Sequence, residues 1–166
     1  MTTRHDRLVK ILAHAFRAAG ADVHVEYRPM DDDRRRPDLS VTFPEESILA
    51  DVVVSHPAAR SRISVAALAT SRRAEKAKVA RYKDIARAEG ARVLAFAVES
   101  YGAFGEHATE IIRLIRRALR HSDLHEDRSL HDLLPQHLAI ALQKGNCLVA
   151  RIGSLRARRA AAVRWR

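Results

Sequence analysis

The stretch Pro37 to Val54, PDLSVTFPEESILADVVV, decides the fold. Leu39, Val41 and Phe43 alternate with Ser40 and Thr42, the period-two signature of a strand with one buried face. Pro44 to Ser47 reads as a turn, and Ile48 to Val54 is apolar at every position except Asp51, as in a central strand covered on both faces. The segment therefore predicts a hairpin whose second strand lies inside the sheet. With the turn at Pro44 to Ser47, Phe43 faces Ile48, Ser40 faces Asp51 and Asp38 faces Val53. Asp38 and Asp51 are then diagonal neighbours on one face, with Cα atoms roughly 7–8 Å apart.

Upstream, Leu8, Ile11, Leu12, Ala15, Phe16 and Ala19 recur at helical spacing before Gly20, and Val23, Val25 and Tyr27 then alternate with polar residues as in a half-buried strand. Asp31 to Arg36 is a polar loop. Downstream, Ala58 to Thr70 shows no clear period, and a helix is expected from about Ser71 to Glu89, stopped by Gly90. Val93 to Val98 reads as a second strand buried on both faces, followed by a helix carrying Ile111, Ile112, Leu114, Ile115, Ala118 and Leu119. A last helix is expected over Leu133 to Lys144, with Pro135 in its first turn. The pattern predicts an α/β fold with a mixed sheet of about four strands flanked by helices, an extra C-terminal helix and a basic tail. The expected organisation is one domain over residues 1–150 and a tail over 151–166, where six arginines meet no acid.

Composition narrows the partners. Thirty Lys and Arg against 20 Asp and Glu give a net charge of +10 and a pI near 10.7, which favours a polyanion, most commonly nucleic acid. No apolar run approaches the length of a membrane span. Cys147 is the one cysteine, so an intrachain disulfide scaffold is excluded and a reducing compartment fits.

Asp51 is the residue that demands an explanation. Its neighbours call for burial, and a buried carboxylate needs a partner or a cation. A second carboxylate nearby raises the electrostatic cost further unless a cation or a proton offsets it. Mg²⁺, with Mn²⁺ as a substitute, suits such a pair because it takes hard oxygen ligands, keeps waters and bridges to phosphate. The bland alternative is a turn cap for Asp38, which follows a proline, and a solvated lysine-rich face for the helix beyond.

Pro37-Asp38, twelve intervening residues and Asp51-Val52-Val53 resemble the PD-(D/E)XK nuclease pattern, in the variant found in restriction-like endonuclease domains of site-specific non-LTR retrotransposons. In that variant the strand lysine is replaced by one on the next helix. Here Val53 holds the usual lysine position, and Ala74-Glu75-Lys76-Ala77-Lys78-Val79-Ala80-Arg81-Tyr82 is similar to the family's lysine-x-x-basic-tyrosine segment. Arg4-His5-Asp6, Val25-Glu26, Ser55-His56-Pro57, Glu99-Ser100-Tyr101-Gly102 and Ala141 to Asn146 also resemble segments of the domain, so the likeness spans about residues 4–150. The resemblance implies a restriction-endonuclease-like core that hydrolyses DNA with Mg²⁺ held by Asp38, Asp51 and the Val52 carbonyl. It implies Lys78 and Tyr82 as further catalytic residues. Its biological setting is the nucleus, where target DNA is nicked to prime reverse transcription, with RNA or a reverse transcriptase module as further partners. A cytoplasmic protein is the expectation without that origin.

Lys78 and Tyr82, at i and i+4, share a helix face, whereas Lys76 points elsewhere. Glu26 is an accessory candidate if its strand adjoins that of Asp51, and His56 and Glu99 stand at the ends of apolar strands. Arg72, Arg73 and Arg81 on the lysine helix and Arg156, Arg158, Arg159 and Arg164 in the tail are the candidate nucleic-acid contacts. Two rival readings remain: a nuclease fold that binds nucleic acid without cutting it, and a junction-resolving or repair nuclease.

Overall fold

A computed structural model describes residues 3–27, 35–57, 68–120 and 127–164, with side chains omitted for 127, 128 and 160–164. The chain runs α1 (Arg4–Ala18), β1 (Asp22–Val25), β2 (Leu39–Thr42), β3 (Ser47–Ser55), α2 (Ala69–Ala88), β4 (Arg92–Glu99), α3 (Glu106–Arg120) and α4 (Asp127–Arg164). Thr3 and Asp6 form a capping box that starts α1 at a defined residue.

The sheet has the order β1-β2-β3-β4. β1, β2 and β3 pair antiparallel, and β4 pairs parallel to β3 after the α2 crossover, so the sheet is mixed as expected. The hairpin register is two residues tighter than the sequence spacing implies. Thr42 pairs with Ser47 and Leu39 with Ala50, because the Phe43 N–H bonds the Glu46 carbonyl at 2.8 Å and leaves a turn of only Pro44 and Glu45 between them. Continuing the ladder one step sets Asp38 across from Asp51, not Val53. An offset of two leaves strand parity unchanged, so the tighter register alters which residues are opposite without altering which parity faces α2.

The two faces bury different partners. Ile48, Ala50 and Val52 of β3 join Leu94, Phe96 and Val98 of β4 in the main core with Leu8, Leu12, Phe16, Ile111, Ile115, Leu134 and Leu138 from α1, α3 and α4. Leu49 lies on the opposite face, in a small cluster with Tyr82, Ile85 and Ala86 of α2. Asp51 follows the parity of Leu49 and therefore points at α2.

The last helix departs most from expectation. It begins before Leu133 and continues without interruption through Arg164, so Pro135 sits inside it and the arginine-rich segment is its distal end. Residues 153–159 are exposed, which shows that this end projects from the sheet layer. Gly145 is where α4 crosses the start of α1: a Cβ there would fall 2.2 Å from that of Arg4, so only glycine permits the approach.

Candidate active site

The site forms where β2 leaves β3. β3 has nine residues and β2 only four, so beyond Ala50 no strand among the described residues pairs the β2-side edge of β3. The Asp38 side chain covers part of that edge, with its Oδ2 accepting the Val52 N–H at 2.7 Å. In a strand the N–H and C=O of one residue point to the same edge, so the Val52 carbonyl faces the same open space.

Two residues of α2 converge on Asp51, which is 2% exposed. Tyr82 OH donates to Oδ1 at 2.8 Å and also lies 2.9 Å from the Arg36 carbonyl. Lys78 Nζ lies 2.6 Å from Oδ2. The lysine contact is an ion pair to a buried oxygen that accepts no further hydrogen bond among the described residues. The i, i+4 spacing places both groups on one helix face, and each takes one oxygen of the same carboxylate. Lys76 is exposed and takes no part. Burial, reinforced by the Asp51 hydrogen bond, pushes the Tyr82 phenol far above its ordinary value of 10, so it stays protonated as a donor.

Sequence reasoning missed His5. Its Nε2 lies 3.0 Å from Asp38 Oδ2, and this hydrogen bond raises the imidazole from 6.5 to about 9 against the opposing effect of burial. Asp38 Oδ2 is thus engaged by both the Val52 N–H and His5. The first turn of α1 is in turn anchored, since Arg4 Nη1 donates to Asn146 Oδ1 at 2.9 Å and Asn146 Nδ2 donates to the Ser100 carbonyl at 2.7 Å. The sequence signal was Arg4-His5-Asp6, quoted above only as a likeness; nothing in helical spacing says which strand a first-turn histidine meets.

The accessory candidates lie elsewhere. Glu26 is exposed just past the end of β1, with β2 between it and Asp51, so the condition attached to it fails. Its backbone N–H bonds the Asp38 carbonyl at 2.8 Å instead. His56 pairs with the Ser100 hydroxyl at 2.6 Å and packs edge-on against Tyr101. Glu99 is buried and accepts from Ser71 at 3.2 Å. Among the basic candidates, Arg72 is tied to Glu106 at 2.9 Å, Arg73 is exposed, and Arg81 lies 5.6 Å from the Tyr82 ring centre. Arg156, Arg158 and Arg159 are exposed on distal α4, while the side chain of Arg164 lies outside the described residues.

No cluster of three or more His, Cys, Asp or Glu side chains that could hold a metal occurs among the described residues. The donor set is instead two carboxylates and a strand carbonyl. That set fits Mg²⁺, which is commonly held by one or two carboxylates with water and phosphate completing its shell. The buried Asp51 Oδ2 already meets one cation, the Lys78 ammonium at 2.6 Å, so a hard cation beside it answers the same charge demand. None of the helices among the described residues is long and apolar enough to cross a membrane. Comparison of the chain with protein-family models and with curated proteins gives no match.

Proposed function

We propose that this chain is a Mg²⁺-dependent DNA endonuclease domain with a restriction-endonuclease-like core, in which Asp38, Asp51 and the Val52 carbonyl hold the cation. One observation carries the reading: a buried aspartate inside an apolar strand is met on its two oxygens by a lysine and a tyrosine one helical turn apart, beside a second aspartate.

When bound, Mg²⁺ supplies a water of lowered pKa and offsets charge on the phosphate. The chain's own residues do the rest. Tyr82 fixes the rotation of the Asp51 carboxylate, while His5 and the Val52 N–H fix that of Asp38 by holding one of its oxygens. Lys78, about one quarter exposed, reaches the boundary between the buried carboxylate and solvent. There its ammonium can orient the attacking water or stabilise the additional charge on the phosphorane. The net charge of +10 and the exposed arginines of distal α4 draw in the polyanion.

The retrotransposon origin, with nicking of nuclear target DNA for primed reverse transcription, rests on the sequence resemblance alone. The deciding assay is cleavage of duplex, branched and single-stranded DNA with Mg²⁺ or EDTA. Metal-dependent nicking of duplex by the parent, absent in Asp51→Asn, supports the endonuclease. DNA binding without cleavage supports the inactive module, and a preference for branched substrates supports a resolving or repair enzyme.

A further inference from the structure

A crevice of about 590 Å³ is lined by Arg4, by the His5 and Lys78 that contact Asp38 and Asp51, and by Val54, Val149 and Ile152. Its lining takes Val52 to Val54 from the edge of β3 beyond β2, and Gly145, Leu148, Val149 and Ile152 from the stretch of α4 just before its exposed end. We propose that this crevice is a subsite for one unstacked nucleotide of the DNA strand being cut, adjacent to the scissile phosphate. The inference rests on the nuclease reading and adds to it the form of the substrate.

Three observations specify the occupant. First, Lys78 and His5 line the crevice and also contact Asp51 and Asp38, so a phosphate at the carboxylate pair places its neighbouring nucleoside at the mouth. Second, the lining combines the basic side chains of Arg4, His5 and Lys78 with mostly aliphatic ones, which complements a phosphate joined to a flat base with apolar faces. Extruded bases are held between aromatic or apolar side chains in this way, once the enzyme has offset a few kcal/mol of unstacking. Third, the volume lies within the range of about 300–1,000 Å³ typical of sites that enclose a small ligand. An extended peptide adding to the open edge of β3 is the competing occupant. The basic side chains and the carboxylates that His5 and Lys78 contact favour the nucleotide.

Because Val149 is 54% exposed and Ile152 half-buried on a helix, Val149→Ala/Ile152→Ala removes crevice wall while keeping helix-forming residues. The test measures binding in Ca²⁺, which holds the cation site without turnover, for duplexes carrying a single mismatch at each position around the nick. A second series carries an abasic site in place of each mismatched nucleotide. For the parent, one position flanking the nick should bind about tenfold tighter when mismatched, because the unstacking cost is already met. That gain should disappear with the abasic series and fall below about threefold in the double variant, because the mismatched duplex then loses more affinity than the perfect one. A flat mismatch scan in a parent that still nicks duplex DNA overturns the subsite and leaves the nuclease reading intact. A position-specific gain that survives both the abasic change and the double variant also overturns it, and failure of the parent to bind DNA at all overturns both.

Discussion

Replacing Lys78 with methionine removes the one cation among the described residues in contact with Asp51 Oδ2 while keeping the length of the side chain. Breaking a fully buried ion pair by removing one partner costs about 3–5 kcal/mol, because the other charge is left uncompensated. Here the Lys78 side chain is 28% exposed and Tyr82 still donates to the other oxygen, which reduces the cost below that range, to about 2 kcal/mol. For a domain of this size that corresponds to a fall of about 4–8 °C in Tm. Mg²⁺ should recover part of the loss, since a cation that binds only the folded state stabilises it and the mutant carboxylate lacks any competing ammonium. Lys76→Met is the control: it removes the same charge from the same helix at an exposed position and should shift stability by under about 0.5 kcal/mol. In a cleavage assay with saturating DNA, Lys78→Met should lower the rate by about 10²–10⁴, the usual contribution of a positioned acid or base, and Lys76→Met by less than about twofold. Differential scanning fluorimetry with and without Mg²⁺, run beside single-turnover cleavage, reads both effects. Equal losses in the two variants would reduce Lys78 to part of a general phosphate-attracting face, and an unchanged Tm would contradict the ion-pair energetics.

Asp51→Asn and Asp38→Asn should each abolish metal-dependent cleavage while retaining most DNA affinity, and the double variant should be no worse than either alone, because all three disable one site; full activity of either single variant refutes the pair. His5 titrates at 6.5 unfolded and about 9 folded, so its contribution to stability is complete below pH 6.5 and is lost as the pH rises through 9. For this half-exposed group the contribution is about 1 kcal/mol after screening, and urea midpoints in EDTA at pH 6 and 9.5 should converge for the parent and His5→Gln at the higher pH. Deleting residues 153–166 removes five arginines, four of them in the projecting end of α4. If about three engage phosphate, the log–log salt slope of duplex binding should fall by about 3 units with Tm little changed, whereas an unaltered slope with a large loss of Tm would mean that the segment supports the fold.

Periodicity alone made most of the elements legible. Alternation over Leu39 to Phe43, the apolar runs Ile48 to Val54 and Val93 to Val98, and the helical spacings of α1, α2 and α3 each record how a backbone period presents side chains to a core. The helix face shared by Lys78 and Tyr82 followed from the same arithmetic, as did the burial of Asp51 among its apolar neighbours. What escaped this reading depends on contacts between segments distant in the chain. The hairpin register was set by the Phe43–Glu46 closure, which the turn residues allowed but did not dictate. The exclusion of Glu26 depended on strand order, a property of the whole sheet. The continuation of α4 through its arginines depended on residues that bury no stripe against the sheet, so no hydrophobic period marked it. The role of His5 was least visible of all. Its partner lies 33 residues away on another element, and the approach depends on Gly145 letting α1 and α4 come close. The sequence by itself determined which residues had to be buried and on which face, because that is a local consequence of backbone geometry. Only the tertiary structure decided which buried and half-buried groups meet, because that depends on the packing of elements whose relative positions no local period encodes.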